Sequence, residues 1–242
     1  MYKFFVEGRQ INENTVKIIG EDKKHISDVL RIKCKEKILI SNKENGETYE
    51  ATIINIDKES INCIIDKKIQ KTVEPKIKVD LFQGLPKADK FEYIIQKSVE
   101  LGINTIIPVN MKYCISKIKD EEKKNNRWTK ISEAAAKQSK RDIIPEVKMS
   151  VDINYVCDEI KNYDLVLVAY ENEEEIKIKD ILQDNKEIES IAIIIGPEGG
   201  ISKEEVESLK EKGAKIVSLG KRILRTETAS LAVLSIIMYE YD

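Results

Sequence analysis

Ile191-Ala192-Ile193-Ile194-Ile195-Gly196-Pro197-Glu198-Gly199-Gly200-Ile201-Ser202-Lys203-Glu204-Glu205 decides how the chain is read. The apolar, mostly β-branched opening is a strand suited to burial on both faces, as the inner strands of a parallel sheet are. A glycine-rich turn stiffened by Pro197 follows. Ser202 and Glu205 stand at capping-box spacing and open a helix, which runs to Lys212 and stops at Gly213. Strand, turn and helix in that order put the glycines at the carboxyl edge of a sheet, where open α/β sheets bind ligands. The spacing is neither the Rossmann G-x-G-x-x-G nor a phosphate loop with Gly-Lys-Ser/Thr, which argues against a dehydrogenase or a nucleotide hydrolase. On spacing alone, a tight connection with no ligand is the alternative.

The same rhythm extends outward. Strands are predicted at Ile77–Gln83, Asn104–Val109, Leu165–Ala169 and Lys215–Leu219, and helices at Lys87–Leu101, with apolar Phe91, Ile94, Ile95 and Val99, and at Arg127–Lys140. This alternation predicts an α/β domain over residues 73–242. A second strand-to-helix turn, Leu219-Gly220-Lys221-Arg222-Ile223-Leu224-Arg225-Thr226, opens a last helix at Thr226. Arg222 and Arg225 lie within a turn of its positive end, where cations are disfavoured. They call for an anion such as phosphate, or for a carboxylate, Glu198 or Glu227. Before the polar linker Lys67–Lys76, short strands at Lys3–Val6, Thr15–Ile19, Glu36–Ser41, Tyr49–Ile56 and Ser60–Ile65 surround one helix capped by Asp22. That pattern predicts a small β-barrel over residues 1–72.

Composition narrows the classes. The chain has 242 residues with a formal net charge of −2, which excludes a wholly basic nucleic-acid coat protein but not a local basic face. Residues 76–150 carry 16 basic and 10 acidic groups, and residues 151–242 carry 11 and 20. The basic middle includes Lys87, Lys90, Lys97, Arg127, Gln138, Lys140 and Arg141, residue types suited to RNA phosphates. Trp128 reads as core. His25 is the lone histidine, distant in sequence from the glycine loops and assigned a structural or RNA-contact role. Cys34, Cys63, Cys114 and Cys157 form no C-x-x-C pair, so no metal site is expected and buried reduced thiols are. The start of the chain does not read as a signal peptide, and the apolar run Ala229–Tyr239 is short of a membrane span. The expectation is a soluble cytoplasmic protein.

Three blocks carry a family resemblance over nearly the whole chain. They are Leu81-Phe82-Gln83 through Lys97-x-x-Glu100-Leu101-Gly102 to Pro108; Arg127-Trp128 through Glu133-Ala134-Ala135 and Gln138-Ser139-x-Arg141 to Pro145; and the two glycine loops. With His25-x-x-x-Val29-Leu30-Arg31 they resemble the ribosomal RNA small-subunit uridine-N3 methyltransferases of the SPOUT superfamily. Ile201 departs from the usual Phe, and Lys3 from a common Arg, which weakens an RNA role for Lys3.

The resemblance implies a PUA-like barrel followed by a SPOUT α/β domain ending in a deep trefoil knot, which residue patterns could not have shown. It implies S-adenosylmethionine as cofactor and a homodimer. Adenine is then expected on the Leu219, Gly220, Ile223 and Leu224 loop, near Arg225, Thr226, Thr228 and Ala229. Gly196, Pro197 and Gly199 would admit ribose and methionine beside Glu198, and Ala169, Tyr170 and Glu171 would complete the rim. Methyl transfer to N3 of a uridine in 16S ribosomal RNA, on the assembled small subunit, needs positioning and anion stabilisation. Arg225 is the expected stabiliser, with Glu198 or Glu227 orienting it or the cofactor. His25, Arg31, Lys87, Lys97, Arg127, Gln138, Arg141 and Arg222 are expected at the RNA. The alternatives are a SPOUT methyltransferase acting on ribose 2′-hydroxyls or another base, and a non-catalytic RNA-binding or ribosome-assembly protein.

Overall fold

A computed structural model describes residues 1–241. The chain divides into two compact units, Met1–Glu74 with Ala136–Ile144, and Pro75–Ala135 with Pro145–Asp242.

The first unit holds β1 (Lys3–Val6), β2 (Ile11–Asn12), β3 (Thr15–Ile19), β4 (Lys37–Asn42), β5 (Thr48–Ile56) and β6 (Ser60–Lys68) in the order β1-β4-β5-β6-β3-β2. Alternating residues such as Val16, Ile18, Ile38, Ile40, Ala51, Ile53, Ile61 and Cys63 bury one face of this curled sheet around a single core. Helix α1 (Gly20–Lys24) follows β3 directly, with Ile19 at the capping position and no side-chain cap. Asp22 is therefore not the cap expected of it. It stands in the first turn, where a carboxylate suits the helix dipole, and accepts from Lys137 Nζ at 2.7 Å. A turn of π-helix, His25–Val29, continues α1 and buries Ile26.

The stretch expected to be a plain linker is tied down. Asp142 Oδ1 accepts from Lys3 Nζ and Thr48 Oγ1, each at 2.6 Å, and Oδ2 accepts from Thr72 Oγ1 at 2.9 Å and the Val73 N–H at 3.1 Å. Lys3 is buried in this pairing. Arg141, expected at the RNA, is corrected by the same region. It is 4 % exposed and donates through Nε to Glu74 at 3.0 Å, so its guanidinium is spent on a buried ion pair.

The second unit holds β7 (Lys78–Gly84), α2 (Lys90–Glu100), β8 (Thr105–Asn110), α3 (Glu121–Ser139, of which Ala136–Ser139 falls in the first unit), β9 (Glu146–Val147), β10 (Val151–Asp152), α4 (Ile153–Glu159), β11 (Leu165–Ala169), α5 (Ile178–Asp184), β12 (Ser190–Ile195), α6 (Lys203–Glu211), β13 (Lys215–Val217) and α7 (Thr226–Tyr241). The sheet runs β10-β8-β7-β12-β11-β13, with β9 also on β8, and every pairing in it is parallel. Its strands are buried on both faces, as their unbroken apolar runs require. Helix α3 starts six positions before the expected Arg127, because Asp120 Oδ1 accepts the Lys123 N–H at 3.0 Å and caps it. Its first half is charged and solvated, so no apolar period announced it. Trp128 is core, with its ring 4.5 Å from Phe91. From β13 at the sheet edge the chain returns to lay α7 against α2, β12 and β7.

Candidate functional site: a cavity at three strand ends

In register, Ala169 pairs with Ile195 on one side and Val217 on the other. Neighbouring strands lie about 4.8 Å apart, so these three ends fall within about 10 Å. The loops leaving them enclose a cavity of about 540 Å³, inside the usual size of small-ligand sites, about 300–1,000 Å³. Ala169, Tyr170, Glu171, Gly196, Pro197, Glu198, Gly199, Leu219, Gly220, Ile223, Leu224, Arg225, Thr226 and Ala229 line it. Arg222, expected at the RNA, lines it too, together with Lys90, Gly200, Ser218 and Lys221. Thr228 and Glu227 do not: Thr228 is exposed on α7, turned away from the cavity lining.

The loops are held by a buried network that the sequence did not announce. Thr226 Oγ1 donates to the Gly196 carbonyl at 2.6 Å and accepts from Gln83 Nε2 at 2.9 Å. Gln83 Oε1 accepts from the Ser230 hydroxyl, which also lies 2.9 Å from the Thr226 carbonyl. The first turn of α7 is thereby fastened to the glycine loop after β12. The one signal was a glutamine ending the apolar strand Ile77–Gln83. Ser202 and Glu205 form the predicted capping box at the start of α6, and Glu205 also accepts the Lys112 N–H at 2.8 Å.

Two glycines are required by geometry. Gly200 has φ +75°, and a Cβ there would enter the Glu171 carboxylate. A Cβ on Gly84 would lie 2.6 Å from Pro197 Cδ and N, so β7 can approach the loop only without a side chain.

Glu198 lines the cavity, yet its carboxylate accepts from the Lys87 N–H at 3.0 Å and Lys90 Nζ at 2.9 Å. Burial pushes this carboxyl up, but those hydrogen bonds outweigh it and hold it below the ordinary range. Arg225 and Arg222 are exposed, and neither guanidinium forms an ion pair among the described residues. The amides of Lys221, Arg222, Ile223 and Leu224 find no acceptor among the described residues. The cavity therefore offers backbone donors, an apolar edge at Ile223 and Leu224, glycine clearance and uncommitted positive charge. That donor set fits a polar, partly aromatic small molecule and an anion beside it.

The remaining candidates are scattered. His25, Arg31 and Gln138 are exposed on the first unit, with Arg31 at φ +53°. On the second, Lys87 is exposed, half-buried Lys97 pairs with Glu100 at 2.8 Å, and exposed Arg127 pairs with Glu92 at 2.7 Å. Among the described residues no group of His, Cys, Asp and Glu could hold a metal, and no helix is long and apolar enough to cross a membrane. Of the cysteines, Cys34 is exposed rather than buried, whereas burial pushes the Cys63 thiol up to about 12.

Residues 73–238 match the family model of an RNA methyltransferase domain, and residues 18–66 that of an RNA methyltransferase PUA domain. With the all-parallel sheet, this makes the chain a SPOUT-type RNA methyltransferase carrying an N-terminal PUA-like unit. It is 35 % identical to ribosomal RNA small subunit methyltransferase E of Bacillus subtilis, over 100 % of this chain and 98 % of that protein. The namesake of Mesomycoplasma hyopneumoniae is also 35 % identical, over 97 % and 98 %. The crystal structure of the Neisseria gonorrhoeae ribosomal RNA small subunit methyltransferase E, bound to S-adenosyl methionine, superposes with a TM-score of 0.88 at 29 % identity, covering 99 % and 97 %. The chain belongs to the ribosomal RNA small subunit methyltransferase E family.

Proposed function

We propose that this chain methylates N3 of a uridine in small-subunit (16S) ribosomal RNA, using S-adenosylmethionine. The observation that carries the reading is the convergence of three strand ends on one glycine-lined cavity, beside an arginine that no carboxylate has claimed. The cofactor bound to the Neisseria relative supports the same group here. When bound, it supplies a methyl group on a sulfonium centre, activated for in-line displacement.

The chain's own residues do the rest. Backbone amides of the Leu219–Leu224 loop bind the adenine edge, with Ile223 and Leu224 against its face. Gly196, Gly199 and Gly200 give the ribose and methionine room, and Tyr170 and Glu171 bound the rim. Arg225 stabilises the negative charge that develops on a uracil oxygen as N3 loses its proton to solvent. Glu198, on the cavity lining, orients the cofactor. His25, Arg31 and Gln138 on domain 1–72 and its docked segment, and Lys87, Lys97, Arg127 and Arg222 on domain 73–242, hold the RNA, chiefly at phosphates. The target base reaches the cavity by leaving its stack.

Helix α7 has charges only at Glu227 and Glu240 and leaves Ser235, Ile236 and Tyr239 exposed beside half-buried Leu231 and Ala232. That apolar face supports a homodimer. The return of the chain from β13 to α7 against β7 supports the trefoil knot that the family resemblance implies. A ribosomal substrate supports a cytoplasmic reaction.

The test is to incubate the protein and S-adenosylmethionine with unmodified small subunits or with naked RNA, then analyse nucleosides by mass spectrometry. The expected product is 3-methyluridine, formed on subunits. A 2′-O-methylated nucleoside would instead assign another SPOUT specificity. No product, together with no calorimetric binding of S-adenosylmethionine, would make the chain an RNA-binding or assembly protein.

A further inference from the structure

Lys90 is the first residue of α2, where the positive end of the helix dipole disfavours a cation, and Asp89 before it makes no side-chain cap. Its ammonium nevertheless stands between two carboxylates from distant parts of the chain, 2.9 Å from Glu198 Oε1 and 3.7 Å from Glu227 Oε2. Glu198 also takes the Lys87 N–H at 3.0 Å, in the turn that leads into α2. Glu227 Oε2 is buried and has no hydrogen bond, so Lys90 is the cation that balances it among the described residues.

Arg225 lies two positions before Glu227 and lines the cavity. A guanidinium fork is the better partner for a carboxylate than an ammonium, because it can bind both oxygens at once. Arg225 shares the cavity lining with Glu198 and Lys90 and is near enough to Lys90 that the two cations repel, yet it forms an ion pair with neither carboxylate among the described residues. The difference is that Lys90 already holds them.

We propose that Lys90 is a positioning residue: by occupying Glu198 and Glu227 it keeps the Arg225 guanidinium unpaired and open to an anionic substrate. The inference rests on the methyltransferase reading only for what that substrate is. Both halves of the pair respond as a stable bridge should, the Glu198 hydrogen bond raising the Lys90 ammonium above its ordinary value.

The experiment labels the folded protein with an arginine-directed dicarbonyl reagent and follows Arg225 by peptide mass spectrometry, with Arg222 as internal reference. Labelling of Arg225 is expected to slow about two- to fivefold in Lys90→Met, the effect of forming an ion pair of ordinary strength. It should return toward the wild-type rate in Lys90→Met with Glu198→Gln and Glu227→Gln, and stay at that rate in Lys90→Arg. Single-turnover methylation of small subunits should fall in Lys90→Met and be retained in Lys90→Arg. Unchanged labelling in Lys90→Met overturns the proposal, as does protection that persists once both carboxylates are gone. If the labelling pattern holds but the wild-type protein methylates no ribosomal RNA, the functional reading fails and the role of Lys90 stands.

Discussion

Replacing Thr226 by valine keeps the shape of the side chain and removes one hydroxyl from the centre of the network behind the cavity. Thr226 is 6 % exposed, so water cannot substitute. The Gly196 carbonyl loses its 2.6 Å donor and Gln83 loses a 2.9 Å acceptor. Gln83 Nε2 keeps the Gly84 carbonyl at 3.0 Å, whereas Gly196 is left with Gln83 at 3.5 Å. One bond is thus replaced in part and the other leaves a buried carbonyl poorly satisfied, for a total cost of about 2 kcal/mol. For a unit of this size that lowers the melting temperature by about 4–8 °C. The loosened glycine loop should also bind S-adenosylmethionine about tenfold more weakly, equivalent to about 1.4 kcal/mol. Differential scanning calorimetry and titration calorimetry read the two effects. Thr228→Val, two residues on but exposed, is the control, expected within about 0.5 kcal/mol of the parent. Equal melting of the two variants, or unchanged cofactor affinity in Thr226→Val, would refute the assignment of this network as the support of the site.

Three further outcomes are expected. Arg225→Ala should bind S-adenosylmethionine normally and lose about 10²–10³-fold in single-turnover methylation, the usual cost of one anion-stabilising donor. Gly84→Ala, whose Cβ would meet Pro197 at 2.6 Å, should destabilise the protein by about 1–3 kcal/mol through overpacking and abolish titratable cofactor binding. Asp142 governs the acid limb of stability. Burial pushes its carboxyl up, but bonds from Lys3, Thr48 and the Val73 amide bring it below its ordinary 3.8. A depressed folded value means stability that is present above the unfolded value and is lost as pH falls through the folded one. Asp142→Asn should therefore flatten the stability–pH curve below about pH 4. It should also cost about 3–5 kcal/mol at neutral pH, because Lys3 stays buried without its counter-charge. Chemical denaturation from pH 2 to 7 checks both.

Much of the fold was legible because it rests on neighbours in sequence. The run Ile191–Ile195, β-branched and followed by a glycine turn, reads as an inner parallel strand, and Ser202 with Glu205 fixed the start of α6 through atoms three residues apart. Polar helices were harder: the charged first turns of α3 carry no period, and its start depended on one aspartate, Asp120. Asp22 misled because a residue with capping chemistry one turn from a strand looks the same whether it caps or lies within the first turn. Of the cavity lining, the glycines and Arg225 were legible from their positions after strands. Thr228 could not be separated from Thr226, since which of two helix residues faces inward is set by packing.

What the sequence determined by itself is therefore local: which segments are strands, that the second unit alternates them with helices, and where the chain turns sharply at the carboxyl edge of its sheet. The partners of charges were decided by the tertiary structure alone. Lys3 meets Asp142 across 139 positions, and Glu198 meets Lys90 across 108. Arg141 looked like an RNA contact until burial gave it Glu74. Arg225 called for an anion or for one of two carboxylates, and the structure gives both of those carboxylates to Lys90. Electrostatic interaction depends on separation in space and on how much water lies between the groups, and neither quantity is written in the order of residues along a chain.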